Sequence, residues 1–514
     1  MPQAPSPNSS GMIADAEPYT SDRRFFGHPR GLSTLFFTEM WERFSYYGIR
    51  PLLVLFMTAA LADGGFGFDR PTASAIVGIY AASVYLASLP GGWIADRWLG
   101  LRRTIYYGAV LISLGHFAIA LSSVFSKPAF FAGLVLIVMG TGLLKPNISA
   151  IVGDLYPAAD ARRDAGFSIF YMGINVGALA APLITGALGE RVGWHYGFGA
   201  AGVGMLIGLI TYRIRAGETL GPLGVLPSGT PEQQRTVKNV TMLLLALIGL
   251  VMLLTMTGAL TINPISVGNR MRDVMVATAV AYFGYLFLFA GLDPNEKKRI
   301  FVILILAVFA TIFWAAFEQA PTSLNLFAQD FTDRNLFGWE MPVSWLQSVN
   351  SFFVITLAPV FAALWVTLAK QGRELSSLAK FTFGLLFAGL GFYLMVLAAN
   401  AVIAGGPGTR VSMWWLTGSY LLQTLGELSL SPVGLSSMTK LSPRRFVGQM
   451  MGVWFLATAL GNLIAGLVGG HVDPNNLTEM PLLFQRTAMS LFIATAVLAL
   501  MIVPIRRMMG EAKH

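Results

Sequence analysis

Long apolar runs dominate this chain and decide what it can become. About fourteen stretches are long enough to cross a bilayer: 31–60, 72–97, 102–124, 129–149, 165–189, 194–215, 240–259, 274–292, 299–328, 340–370, 376–401, 411–440, 445–470 and 481–506. A membrane helix needs ~20 apolar residues. In lipid each backbone polar group must be satisfied within the segment, so runs of this length fold as helices. Only 12% of the residues are charged, against about 25% in a soluble domain, and mean hydropathy is +0.63. The fold class is therefore all-α and polytopic, with membrane lipid as its surroundings.

Several functions are excluded early. The chain has no cysteine, which removes disulfides, thiolate metal sites and cysteine nucleophiles. His28, His116, His195, His471 and His514 are scattered without ligand spacing, so no metal site is expected. The net charge of +9 sits in short loops rather than on one soluble face, which argues against nucleic acid. Alternate loops hold the bases: Arg97/Arg102/Arg103, Arg162/Arg163, Arg213/Arg215/Arg235/Lys238, Lys297/Lys298/Arg299, Lys370/Arg373 and Lys440/Arg444/Arg445. With Arg23, Arg24 and Arg30 before the first span and Arg506, Arg507 and Lys513 after the last, the positive-inside rule puts both termini in the cytoplasm. Arg270 and Arg272 are the exceptions. Residues 1–30, Pro- and Ser-rich at the start, read as a disordered tail and not as a signal peptide.

A weak internal repeat sets the domain plan. Pro146 and Pro157 have the spacing of Pro432 and Pro443, and each pair leads to an Arg-Arg loop. That aligns the fourth span of a first six with the fourth of a last six. The plan is a six-helix bundle at 31–215, two inserted helices within 216–298, and a second bundle at 299–514. Internal repeats of this kind suit secondary transporters, whose substrate sites lie near the midplane between halves.

Charges inside the spans carry the functional signal. The first span contains FTEMWERFSYYGIR, Phe37–Arg50. Glu39, Glu42, Arg43, Tyr46 and Arg50 fall on one helical face, and Glu39 precedes Arg43 by the four residues that favour an ion pair. A structural pair locking two helices accounts for Glu39 and Arg43 but leaves Glu42 and Arg50 unexplained. Lys145 in the fourth span, Glu318 before Pro321, and Glu427 before Pro432 stand alone among apolar neighbours, with the amides Asn175 and Asn350 in other spans. Ionisable groups at membrane depth are expensive and mark functional sites by default. Four acids against three bases leave a carboxylate able to take and release a proton. The bases lie early and Glu318 and Glu427 late, a split that suits a ligand with a carboxylate and an ammonium.

Three separated motifs resemble one family. Glu39-x-x-Glu42-Arg43-Phe44-x-Tyr46-Tyr47-Gly48 resembles the first-helix signature of the proton-dependent oligopeptide transporters, within the major facilitator superfamily. FSIFYMGINVGA at Phe167–Ala178 resembles the fifth-helix signature, and GELSLSP at Gly426–Pro432 the tenth-helix element. The resemblance runs from about Leu32 to the last span, and the two inserted helices resemble those of bacterial members.

It implies inward symport of di- and tripeptides with protons by alternating access, in the inner membrane, by a monomer, with no catalysis and no cofactor beyond the proton. Carried over by position, Glu39, Glu42, Arg43 and Glu318 would serve proton coupling. Arg43, Arg50 and Lys145 would meet the peptide carboxylate, and Asn175, Asn350 and Glu427 its amino group. Tyr46, Tyr47, Tyr85, Tyr171, Trp314, Ser431, Trp454 and Phe455 would line the pocket. Three places depart from the pattern: Ser351 stands where a proline usually follows Asn350, Gly78 stands where animal members carry a histidine, and the facilitator turn after Asp96-Arg97 has extra spacing (Trp98-Leu99-Gly100-Leu101). The alternatives are the same fold carrying nitrate, a drug or a peptidomimetic, and an intramembrane enzyme. No Ser/His, paired Asp or His-rich set inside the spans supports the last.

Overall fold

The computed structural model describes residues 16–157, 160–373 and 375–509. Fourteen long helices run through them: α1 (Arg30–Thr58), α2 (Arg70–Ile94), α3 (Leu101–Ala120), α4 (Ser122–Asp154), α5 (Arg163–Arg191), α6 (Trp194–Leu220), α7 (Pro231–Met256), α8 (Pro264–Leu288), α9 (Pro294–Phe317), α10 (Ser348–Lys370), α11 (Ser377–Gly405), α12 (Trp414–Leu441), α13 (Val447–Val468) and α14 (Glu479–Met508). Among the described residues, eleven helical segments are long and apolar enough to cross a membrane by composition alone. The three other long helices are α1, α3 and α12. Buried polar groups such as Glu39, Glu42, His116 and Gln423 lower their hydropathy.

The chain divides into two compact units. Unit 1 comprises Met1–Ile49 and Leu86–Ile262, and unit 2 comprises Arg50–Tyr85 and Asn263–His514. In unit 1, α3 packs on α4 and α6, and α5 on α6. Glycines set the spacing: a Cβ on Gly108 would lie 2.7 Å from the Gly140 carbonyl oxygen, so α3 and α4 touch backbone to backbone. In unit 2, α11 packs on α12 and α14, and α9 on α13.

Several helix limits differ from the apolar runs. The runs at 240–259, 274–292 and 299–328 begin late, because α7, α8 and α9 start at Pro231, Pro264 and Pro294. Each proline occupies the first helical position, where its missing N–H costs nothing. Thr230, Asn263 and Asp293 cap these helices, accepting from Gln233 N, Ser266 N and Glu296 N. Pro146 and Pro432 lie inside α4 and α12, and the helices continue to Asp154 and Leu441. Membrane helices tolerate interior proline when side chains re-satisfy the freed groups. Beside Pro146, Asn147 Nδ2 donates to Leu143 O at 2.6 Å and to Gly91 O of α2 at 3.2 Å.

Of the tail expected over 1–30, residues 1–15 lie outside the described residues and the rest is packed. Arg162 donates to the carbonyls of Thr20 (3.1 Å), Gly27 (3.2 Å) and Asp22 (3.4 Å), and pairs with Asp160 at 2.7 Å. Buried His28 Nδ1 is 2.8 Å from Tyr156 Oη. These long-range bonds override the polar composition that made the segment read as disordered.

Candidate functional site

The densest charge lies on α1, inside unit 1. Arg43 Nε is 3.2 Å from Glu39 Oε1, one turn earlier, and pairs with Glu42 Oε2. All three side chains are at most 3% exposed. The guanidinium also stands 5.1 Å from the centre of the Tyr46 ring. One guanidinium thus serves two carboxylates, and Lys145 lies within electrostatic reach of Glu39. Glu39 Oε2, Glu42 Oε1 and Arg43 Nη2 make no hydrogen bond to the described residues. Burial makes each unmatched charge in this cluster costly.

Helix α5 brings its glycines against this cluster. A Cβ on Gly177 would lie 3.0 Å from Phe44 N and 3.2 Å from Arg43 Cβ, and one on Gly173 would lie 2.9 Å from the Phe36 ring. Thr185 Oγ1 donates to Gly48 O at 2.8 Å. The fifth-helix signature therefore holds its backbone against the first-helix signature. The i, i+4 spacing of Gly173 and Gly177 was the sequence signal for that contact. Asn175 on the same helix is buried and donates from Nδ2 to Tyr171 O at 2.9 Å, and Tyr171 is exposed. Tyr47 is half-buried and meets Tyr46 edge to face.

Unit 2 holds the remaining charges. Arg50 forms an ion pair with Glu318, their side chains 11% and 7% exposed. Glu318 ends α9, and a wide five-residue turn, Ala320–Leu324, follows with Pro321 at its start. Beyond it, Asn325 Nδ2 donates to Pro51 O at 2.8 Å. Arg70, at the start of α2, reaches Asp330 at 2.5 Å and Val472 O at 2.7 Å. Sequence reading missed Asn325, Arg70 and Asp330; Arg70 at the mouth of a span was the available signal.

Asn350 on α10 donates to Thr424 Oγ1 at 2.9 Å and to Glu427 Oε2 at 3.2 Å, both on α12. The two residues grouped by sequence are thus neighbours, with Ser351 buried beside them. Gln347, also missed, donates to Tyr420 Oη at 3.0 Å and Ala320 O at 2.7 Å. Trp314 is buried against Phe313, Phe317 and Gly461, and buried Trp454 fills the notch left by Gly434. Phe455, Ser431 and Tyr85 are half-buried. At Gly78 a Cβ would lie 2.7 Å from Gly466 Cα, so α2 and α13 meet there too closely for any larger side chain.

Comparison with known proteins follows the same lines. The POT family model matches residues 102–480. Over 498 residues the chain is 50% identical to the peptide transporter YePEPT of Yersinia enterocolitica, covering 96% of this chain and 97% of that one. It is 36% identical over 511 residues to the di-/tripeptide transporter of Lactococcus lactis subsp. cremoris, covering 96% and 99%. Among solved structures it is similar to a peptide transporter POT in complex with sulfate, with a TM-score of 0.88, 39% identity, and coverage of 96% and 99%. A family match over most of the chain, relatives of nearly equal length and a shared fold place it: the chain belongs to the POT family, the proton-dependent oligopeptide transporters, with the major facilitator fold.

Proposed function

We propose that this protein imports di- and tripeptides together with protons, by alternating access, across the inner membrane. Both termini face the cytoplasm, the monomer is the working unit, and the peptide leaves chemically unchanged with the proton as the one coupling ion. The domain plan is the two bundles at 31–215 and 299–514 with the inserted pair between them. The observation that carries the reading is the buried sharing of Arg43 by Glu39 and Glu42, in a chain whose near full-length relatives are named peptide transporters.

The chemistry follows from charge balance. Protonation of Glu318 breaks its ion pair with Arg50 and lets the Arg50 guanidinium turn to the peptide carboxylate. Arg43 and Lys145 are further bases for the peptide carboxylate, and protonation of Glu39 or Glu42 tunes how much of Arg43 is available. Glu427, held by Asn350, offers a carboxylate to the peptide ammonium, with Asn175 as a further amide. Tyr46, Tyr47, Tyr85, Tyr171, Trp314, Ser431, Trp454 and Phe455 shape the space for the side chains.

Uptake of labelled dialanine into liposomes under an inward proton gradient tests this. Unlabelled dialanine is expected to compete, whereas N-acetyl-dialanine and dialanine amide, each lacking one charged end, compete at least tenfold less well. Equal competition by all three contradicts the two-ended assignment, and no gradient-dependent uptake contradicts the function.

A further inference from the structure

Between α9 and α10, unit 2 carries a small hairpin whose two faces differ. Asn335–Leu336 and Trp339–Glu340 pair antiparallel, with Leu336 opposite Trp339 and Asn335 opposite Glu340. Side chains alternate along a strand, so Leu336 and Trp339 share one face and Asn335 and Glu340 the other. The polar face is fixed by charge: Glu340 Oε1 lies 2.7 Å from Arg334 Nη2 and 3.5 Å from Arg410 Nη1. Thr332–Asp333 pairs with Val411–Ser412, which ties the base of the hairpin to the segment just before α12. The two-residue turn is Phe337-Gly338, with φ of 53° and 84°. Such turns need positive φ at both positions, where asparagine and glycine are usual and a bulky aromatic is strained. Phe337 nonetheless stands there, fully exposed, with Leu336 and Trp339 exposed beside it.

The apolar face continues into the membrane. The Trp339 ring meets the Trp345 ring at 5.3 Å between centres, and Trp345 lies in the first turn of the apolar span Val343–Lys370. Only Met341 and Pro342 separate Glu340 from Val343, so the hairpin lies within roughly 11 Å of that span. Tryptophan is favoured at the bilayer interface, where its ring is apolar and its N–H stays wet. We propose that the hairpin is an interfacial anchor: Leu336, Phe337 and Trp339 sit in the headgroup layer of the bilayer, while Glu340 and Arg410 face water. Single apolar side chains scattered over a surface need no explanation. Here three adjoin on one hairpin, one of them in a backbone conformation that penalises it, and the cluster runs into a membrane span. The contact is apolar, so it takes a lipid surface whatever the headgroup charge. Under the orientation proposed above the leaflet is the one away from the cytoplasm; the anchor itself does not depend on peptide transport.

The test uses the full chain, which has no cysteine, so a single introduced cysteine can be labelled cleanly. Phe337→Cys, Leu336→Cys and, on the charged side, Arg410→Cys each receive an environment-sensitive fluorophore. Each protein is placed in phosphatidylcholine nanodiscs holding one copy. Quenching is read from phosphatidylcholine spin-labelled just below the headgroup and, separately, from aqueous iodide. The labels replacing Leu336 and Phe337 are expected to be quenched by the lipid about threefold more strongly than the label replacing Arg410, and by iodide about threefold less. Iodide reaching the label at Phe337 as readily as that at Arg410 overturns the proposal. Shielding from both quenchers makes the tip a protein contact and also overturns it. So does shielding found only in liposomes with several copies each, which makes the tip a contact between copies. Should Phe337→Cys fail to fold, Leu336→Cys decides.

Discussion

Arg43 shows how a single residue governs the α1 cluster. Its guanidinium is the partner of both Glu39 and Glu42, and removing it leaves two buried carboxylates uncompensated. Breaking a buried pair from one side costs about 3–5 kcal/mol. Arg43→Ala is therefore expected to lower the thermal midpoint in detergent markedly below pH-matched wild type, with partial recovery in Arg43→Ala/Glu42→Gln. A second residue, His28, is set by different surroundings. Burial pushes its pKa below the usual 6.5, and nearby Arg162 adds to the effect, while Asp160 opposes it. The unfolded chain then binds the proton more readily, so His28 contributes stability that is present above about pH 6.5 and is lost as pH falls from there to its lower folded-state value. Thermal melts between pH 5.5 and 8 are expected to show a smaller pH slope in His28→Gln than in wild type. Asp160 acts lower on the scale: the Arg162 hydrogen bond holds it down at about 2, so its contribution is full above about pH 3.8 and is lost as pH falls from there to about 2. The Glu39–Arg43 pair was legible because helical spacing alone predicts it. The Arg162 clasp was not, because its partners are mainly backbone carbonyls of Thr20, Asp22 and Gly27, which carry no side-chain signature.

At the scale of elements, the helices were readable and their ends less so. Apolar length marks where lipid begins, whereas a helix begins at its cap, one or more polar turns earlier. Thr230-Pro231, Asn263-Pro264 and Asp293-Pro294 carried that information in their residue types. Asp293 accepts from two backbone N–H groups, and Glu296 returns a bond to Asp293 N. Asp293→Ala is expected to cost about 1 kcal/mol, the usual price of losing such a cap, with Asp293→Asn close to wild type in thermal melts. Contacts between helices were harder to see. The meeting of α2 and α13 at Gly78 and Gly466 follows from two small residues far apart in the chain. Gly78→His is expected to destabilise by about 1–3 kcal/mol through overpacking, and Gly78→Ala by less. A Gly78→His variant as stable as wild type in thermal melts contradicts this packing.

For the whole molecule, the motifs announced the family while the division into units stayed hidden. Within unit 2, Arg50–Tyr85 clusters with Asn263–His514. The reason is a set of long-range contacts: Arg50 with Glu318, Asn325 with Pro51, and Arg70 with Asp330 and Val472. Each joins residues more than 250 positions apart in sequence order, as the 268-residue separation of Arg50 and Glu318 illustrates. No local pattern encodes them. Buried carboxylates are proposed to couple the proton to the peptide, and loss of the Glu318 charge separates accumulation from exchange. The decisive measurement compares wild type and Glu318→Gln in liposomes, for accumulation of labelled dialanine under an inward proton gradient and for dialanine exchange without one. Wild type is expected to accumulate dialanine above the external concentration, while the variant is expected to exchange dialanine without accumulating it. Gradient-driven accumulation by Glu318→Gln equal to that of wild type would contradict that coupling.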